Sequence, residues 1–248
     1  MESTFARQYA DFENWHWWFR GRQTILESIL RHELSPQIKR SLLSVGCGPS
    51  EGLGWLKPFA GDEGKIVGLD IDPSYGRNPS NEVAFVNGLL DRTPFTDHCF
   101  DAVLALDVLE HLDRDRDGLL EAMRLVKPGG LLVLTVPALP ALWGTQDVVS
   151  GHRRRYTKRS LTNLFESAGL SNYRINYFNT LLCPPIALIR LFRRMRGPHT
   201  PLRSDFEKNR PGLANEVLKW VFELEARFVN YARLPIGISL VAIYKAEE

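Results

Sequence analysis

Three stretches of this sequence carry residue types that can act together on a ligand. Gly46-Cys47-Gly48 follows the apolar run 41–46, and glycines at such a turn let backbone approach a bound molecule closely. Asp70 closes the apolar run 65–70, where a carboxylate can accept hydrogen bonds from both hydroxyls of a ribose. Glycine turn and acid together describe a nucleoside-binding crevice, although a lone G-x-G also serves as an ordinary strand-to-helix turn. The third stretch is GHRRRY, Gly151–Tyr156. Guanidinium forks match carboxylate and phosphate, so a pocket for a small anion is one reading. Arginines beside an aromatic ring also suit nucleic acid. A solvated basic turn, with one arginine bridging to Asp147 or Glu166, is the plain alternative.

Charge separates these readings. Lys and Arg total 31 against 29 Asp and Glu, a net charge of +2, so the basic run is offset elsewhere and nucleic acid is not the expected partner. A chain of 248 residues buries a core without disulfides or structural metals. Cys47, Cys99 and Cys183 show no C-x-x-C pairing, so neither a disulfide framework nor a metal site is signalled, and a reducing cytoplasm is expected. Residues 1–20 are acidic and aromatic where a secretory leader would need a basic start and an apolar run. The apolar stretch LLCPPIALI, 181–189, holds two prolines and falls far short of the roughly 20 residues that span a bilayer.

The elements that must position these residues follow from periodicity. Ile25, Leu26, Ile29 and Leu30 predict a helix over 22–34. Strand-length apolar runs at 41–46, 65–70, 83–87, 100–106 and 130–136 alternate with helical or turn-rich segments, the pattern of a parallel sheet covered on both faces. A helix over 115–126 should stop in a tight turn at KPGG, and a further helix follows Thr157. A strand over 173–178, an amphipathic helix over 213–231 and a strand over 237–246 complete the chain.

LLSVGCGPSEG, VGLDID, FDAVLALDVLEHL and KPGGLLVLTVP stand in the order and spacing of class I S-adenosylmethionine-dependent methyltransferases, which the chain resembles over about residues 41–137. A nicotinamide-dinucleotide fingerprint would instead require glycine at 51, where Glu51 stands. The resemblance implies an α/β fold: a Rossmann-like, doubly wound, mostly parallel seven-stranded sheet with its last strand antiparallel. One domain over 1–248 is expected, divided into an N-terminal helical cap (1–37), a cofactor-binding core (38–178), a helical insert (179–235) and a final strand (236–248).

The same resemblance assigns S-adenosylmethionine as cofactor and S-adenosylhomocysteine as product. Gly46, Cys47 and Gly48 would pass under methionine and ribose, Asp70 would hold the ribose, and Ile71 would lie against adenine. Gly88, Leu89 and Leu90 would flank adenine, and Asp107 and Val108 would line the sulfonium. Ser44 belongs to this set but stands where many members carry an acid, and Leu89 stands where an Asp is common. His111 is read as structural or cofactor-side.

For the acceptor, the loop after the fifth strand should reach the carboxyl edge of the sheet, where open parallel sheets bind ligands. His152 is nominated as base because histidine titrates near neutral pH, with Asp147 as orienting partner and Tyr156 as second candidate. Arg153, Arg154, Arg155 and Trp143 are assigned to the acceptor. In WHWWFRGR, Trp15, Trp18 and Phe19 share one helical face and should pack inward, leaving His16, Trp17 and Arg20 to project elsewhere, toward the acceptor. The tryptophan-rich start and WGTQD…GHRRRYT also resemble a bacterial and archaeal subgroup of these enzymes. O-methylation of a small anionic, glycosyl or lipid-type acceptor is the favoured activity. A nucleic-acid methyltransferase and a non-catalytic cofactor-binding module are the alternatives. The expected protein is a cytoplasmic monomer or homodimer. Segment 181–196, through LLCPPIALI and Arg190, Arg193, Arg194 and Arg196, could dock on the inner face of an anionic membrane. A lid or a dimer contact is the competing use of that segment.

Overall fold

The computed structural model of the chain describes residues 11–35, 39–76, 83–195, 204–206 and 209–248. Seven strands form one sheet: β1 (Ser41–Val45), β2 (Lys65–Asp70), β3 (Val83–Asn87), β4 (Phe100–Leu106), β5 (Val126–Pro137), β6 (Tyr173–Phe178) and β7 (Ser239–Lys245), in the order β3-β2-β1-β4-β5-β7-β6. β1 pairs in parallel with β2 and β4, β2 with β3, and β4 with β5. β7 runs the other way. Its C-terminal end meets the start of β5 through Ala246 N–H to Gly130 O, and its N-terminal end meets β5's exit through Ala138 N–H to Ile238 O. The central strands are apolar throughout because both faces are covered: Leu42, Leu43, Ala102–Ala105 and Leu132–Leu134 are all buried.

In space the chain groups into two compact units, each assembled from three segments. One unit comprises Glu33–Val136, Arg159–Ile175 and Val241–Glu248, and the other Met1–His32, Pro137–Lys158 and Asn176–Leu240. The first holds most of the sheet with a short helix α2 (Lys57–Ala60), α3 (Asp115–Leu125) and α5 (Lys158–Ser167). The second holds nearly all of α1 (Trp17–Glu33), and α4 (Thr145–Val149), α6 (Cys183–Met195) and α7 (Leu213–Glu223).

Strand boundaries follow the apolar runs closely, with one exception. KPGG does not precede β5; it lies inside it as a bulge. Phe100 pairs with Val126 and Ala102 with Leu131, so the extra β5 residues loop out where Gly129 takes φ +70°. α7 ends at Glu223, short of the expected 231, and continues as a 3-10 turn over Leu224–Arg227.

At the N-terminus, residues 11–15 are helical and α1 begins at Trp17, earlier than apolar spacing alone places it. His16 interrupts the helix, and its Nδ1 accepts the Trp18 N–H at 3.2 Å as a cap. A single helical wheel drawn across this break misassigns the faces. His16, expected to project outward, is buried among Phe12, Phe19 and Phe206, while Trp15 and Trp18 are half-exposed. α1 then packs on the α7 segment. Gly21 is the close approach, since a Cβ there would lie 2.4 Å from the Phe222 ring, and Ser28 Oγ donates to Ala226 O at 2.7 Å.

Candidate functional site

In the sheet unit, the residues expected to hold the cofactor lie on β1, at the end of β2, or in the loops that leave β1, β2, β3 and β4. Gly46 has φ +59°, and a Cβ there would come within 2.6 Å of Val108 Cγ2, so the turn after β1 tolerates glycine alone against the turn after β4. Gly48 has φ +62° and nothing within 4 Å of the place a Cβ would take. The backbone at Gly48 therefore faces open space, as a cradle for a ligand must. Asp70 closes the cradle: its Oδ2 accepts the Gly48 N–H at 2.9 Å and its Oδ1 the Asp72 N–H at 3.0 Å. Burial pushes this carboxyl above the usual range, and the Asp72 and Gly48 N–H groups pull against that shift. Each oxygen retains a second lone pair, enough to receive ribose hydroxyls.

Asn87 stiffens the turn after β2 by donating to Asp70 O at 3.0 Å and to Ile71 O at 2.8 Å. Ile71 is 65% exposed and Leu89 46%, two large apolar side chains at the ends of β2 and β3, which suits one flat face of a nucleobase. Gly88 N–H donates to Asp70 O at 3.0 Å. Leu90 corrects the expectation: it is buried, within 3.5 Å of the position a Cβ on Gly118 would take, and serves the core. Ser44 is likewise buried within β1, beside Gly68 and Leu104. Asp107 takes φ +58°, uncommon for a residue with a side chain, and donates its N–H to Thr135 O at 3.0 Å. This strain at a strand end was invisible in the sequence. Cys47 Sγ lies where a Cβ on Gly68 would sit, 2.8 Å away, so the cysteine packs down on β2. His111 lies in the single 3-10 turn Leu109–His111 after β4.

In the second unit, GHRRRY is organised around Asp147. This carboxylate sits in α4, is fully buried, and reaches back from the first turn to accept the Gly144 N–H at 2.8 Å. His152 Nδ1 lies 3.0 Å from Oδ1, and Arg155 Nε donates to the same oxygen at 2.6 Å. Arg190 of α6 approaches Oδ2 at 3.7 Å and donates to Leu142 O at 2.5 Å. Burial alone would raise Asp147, but the hydrogen bond from His152 and the charge and hydrogen bond of Arg155 hold it down at about 2. An ionised Asp147 only accepts, so His152 donates to it from Nδ1.

Two assignments within GHRRRY change here. Arg155, expected in the acceptor clamp, is buried and spends Nη1 on Ala138 O at 2.9 Å, so it bridges to Asp147 as a basic turn would. Tyr156 is buried and its backbone pairs with Pro137 and Leu139, which makes it a packing residue in place of a base. Arg153 and Trp143 are exposed and Arg154 is half-buried. Trp17 is engaged by Asn215, which accepts its N–H at 2.9 Å, and by the Phe222 ring, while Arg20 lies 4.0 Å from Glu216. His16 and Trp17 therefore serve the packing of their own unit, and Arg20 stays part-exposed beside Glu216. The sequence reading missed Gln146, whose Oε1 accepts both Ser204 Oγ and Asp205 N–H at 2.8 Å. It also missed Glu225, which accepts the Leu181 N–H at 2.7 Å. Neither has a local signature, since both partners come from distant chain segments.

A Rossmann-like sheet with a glycine turn and an acid at the ends of adjacent strands is an arrangement that suits a nucleotide cofactor. Residues 43–134 match the family described as methyltransferase domain. A probable S-adenosylmethionine-dependent methyltransferase of Mycolicibacterium smegmatis is 27% identical over 62% of this chain and 59% of its own length. A sterol 24-C-methyltransferase of Gibberella zeae is 30% identical over 42% of this chain and 30% of its own. The chain spans about half the length of the curated relatives it matches, from 42% to 60% for three of them. Among solved structures, a methyltransferase of Haloferax volcanii in complex with its Trm112 activator superposes with a TM-score of 0.61 at 18% identity, over 99% of this chain and 95% of that one. A Haemonchus contortus phosphoethanolamine N-methyltransferase in complex with S-adenosylmethionine gives 0.57 at 15% identity, over 90% of this chain and 52% of that one. The likeness in structure is one of fold. The match over residues 43–134 and these relatives support a class I S-adenosylmethionine-dependent methyltransferase, a class whose cofactor is S-adenosylmethionine.

Proposed function

We propose that the chain transfers a methyl group from S-adenosylmethionine to an oxygen of a small acceptor, with the sheet unit holding the cofactor. The observation that carries the cofactor half is the open backbone at Gly48 tied to Asp70. When bound, the cofactor supplies an electrophilic methyl carbon on its sulfonium. Asp70 would receive the ribose hydroxyls, and Ile71 and Leu89 would cover adenine and keep water from it.

The acceptor half rests on the His152–Asp147 pair. With its Nδ1–H donated to Asp147, His152 would take the proton of an acceptor hydroxyl on Nε2 as that hydroxyl is methylated. Asp147 then stabilises the imidazolium. Arg153 and Arg154 would attract an anionic group on the acceptor. A glycosyl or lipid-type acceptor that bears such a group fits this charge, and the net charge of +2 favours it over nucleic acid. A reducing cytoplasm suits the three cysteines, none of which forms a disulfide.

Titration calorimetry and a methyl-transfer screen of hydroxylated, anionic metabolites test the two halves separately. Asp70→Ala should weaken S-adenosylmethionine binding about tenfold or more, through loss of charge-assisted hydrogen bonds. His152→Ala should leave that affinity unchanged and lower kcat on the acceptor about a hundredfold or more. Unchanged binding in the first variant removes Asp70 from the site, and unchanged kcat in the second removes His152 as base.

A further inference from the structure

α6 is inverted relative to an ordinary surface helix. Its solvent side carries Pro184, Pro185, Leu188, Ile189, Leu191 and Phe192, with Leu188 at 66% and Phe192 at 55% exposure, and no charged residue stands among them. These positions occupy a continuous arc of the helix, the width that surface helices usually turn toward a core. The cation within this stretch faces the other way. Arg190, counted from the sequence among the docking arginines, has its side chain only 16% exposed and is fastened to Leu142 O, Asp147 and Asp205. The entry to the helix is pinned as well, by Glu225 on the Leu181 N–H. Rotating α6 to hide its apolar arc would pull Arg190 away from Leu142 O, Asp147 and Asp205 together. The apolar face is therefore held outward by the interior of its own unit.

Charge indicates what covers it. From Ser167 to Ser204 the chain has no Asp or Glu, and the last turn of α6 adds Arg193 and Arg194. The other exposed apolar stripe, Leu213, Val217 and Trp220 on α7, differs in that Glu216 and Glu223 lie on the same helix. A second copy of this chain would bring the same arginines and no acid from this helix. An anionic lipid surface complements both the apolar arc and the arginines, and among the described residues no helix is long and apolar enough to cross a membrane. We propose that α6 is an interfacial helix that lays Pro184–Phe192 on an anionic bilayer surface, independently of the methyl-transfer reading.

Co-sedimentation of the full chain with vesicles tests this. Binding to phosphatidylcholine vesicles containing phosphatidylglycerol should be about tenfold or more tighter than to phosphatidylcholine alone, and should weaken as salt is raised. L188D combined with F192D should abolish binding to both, whereas R193Q combined with R194Q should remove the preference for the anionic vesicles. Unchanged calorimetric affinity for S-adenosylmethionine and an unchanged circular dichroism spectrum show that the variants fold. Equal or absent binding of the wild type to the two vesicles overturns the proposal. So does a dimer in light scattering that L188D and F192D convert to monomer, since the face would then belong to a second copy.

Discussion

Asp147 shows how one carboxylate organises a loop. Four groups converge on it, and Arg155 and Arg190 leave it no exposed surface. Because Asp147 is held at about 2 against an ordinary 3.8, its contribution to stability is complete above about pH 4 and is lost as pH falls toward 2. Asp147→Asn removes the charge while keeping the shape. Arg155 is then buried without a counter-charge, and urea denaturation at neutral pH should show a loss of about 3–5 kcal/mol. A loss under about 1 kcal/mol would mean that the centre is solvated and the pairing weak. The same variant frees the His152 ring to rotate, so its kcat should fall with that of His152→Ala.

At the scale of elements, the break before α1 has its own signature. His16 is buried among aromatic rings and its pKa is lowered to about 4 by desolvation, while Glu13, one turn earlier, is raised to about 7 by desolvation against the attraction of Arg22. The signs oppose. A histidine lowered from 6.5 to about 4 loses stability as pH falls through that window, because the unfolded chain takes up a proton that the folded one refuses. A glutamate raised from 4.5 to about 7 loses stability as pH rises through nearly the same window. The two offset each other, and the wild type should show little slope between pH 5 and 6.5, on the order of a few tenths of a kcal/mol. His16→Gln should uncover Glu13, so that stability falls with rising pH across this range. Thermal melts at several pH values measure the slope, and a variant whose stability still falls with decreasing pH would show that His16 does not titrate as its burial requires.

For the whole molecule, the residues proposed to hold the cofactor lie in one compact unit and the Asp147 centre in the other. Ligand binding to the first should register there. With S-adenosylmethionine at about one hundred times its Kd, mass action stabilises the binding-competent state by about 2.7 kcal/mol. Hydrogen exchange should slow at 46–48, 70–72, 88–89 and 107–108, the turns that leave β1, β2, β3 and β4. Exchange at these turns that is indifferent to the ligand would place the cofactor elsewhere.

Much of this was legible in order along the chain. The strands could be read because apolar runs bounded by turn residues are local facts, and a strand covered on both faces needs no knowledge of its neighbours to be apolar. Gly46, Gly48 and Asp70 could be read because backbone freedom and a carboxylate at a strand end are properties of single positions. The partner of a buried charge is different in kind. Arg190 looks like a surface cation beside apolar residues until the fold brings α6 to Asp147, and Arg155 looks like a ligand clamp until its guanidinium meets Ala138 O. Desolvation makes each of these pairings obligatory once the groups are enclosed, yet which groups are enclosed depends on segments far apart in sequence. The sequence by itself therefore determined the sheet and the glycine turn beside Asp70. Only the tertiary structure decided which arginines face inward, why His16 is buried, and which side of α6 meets the solvent.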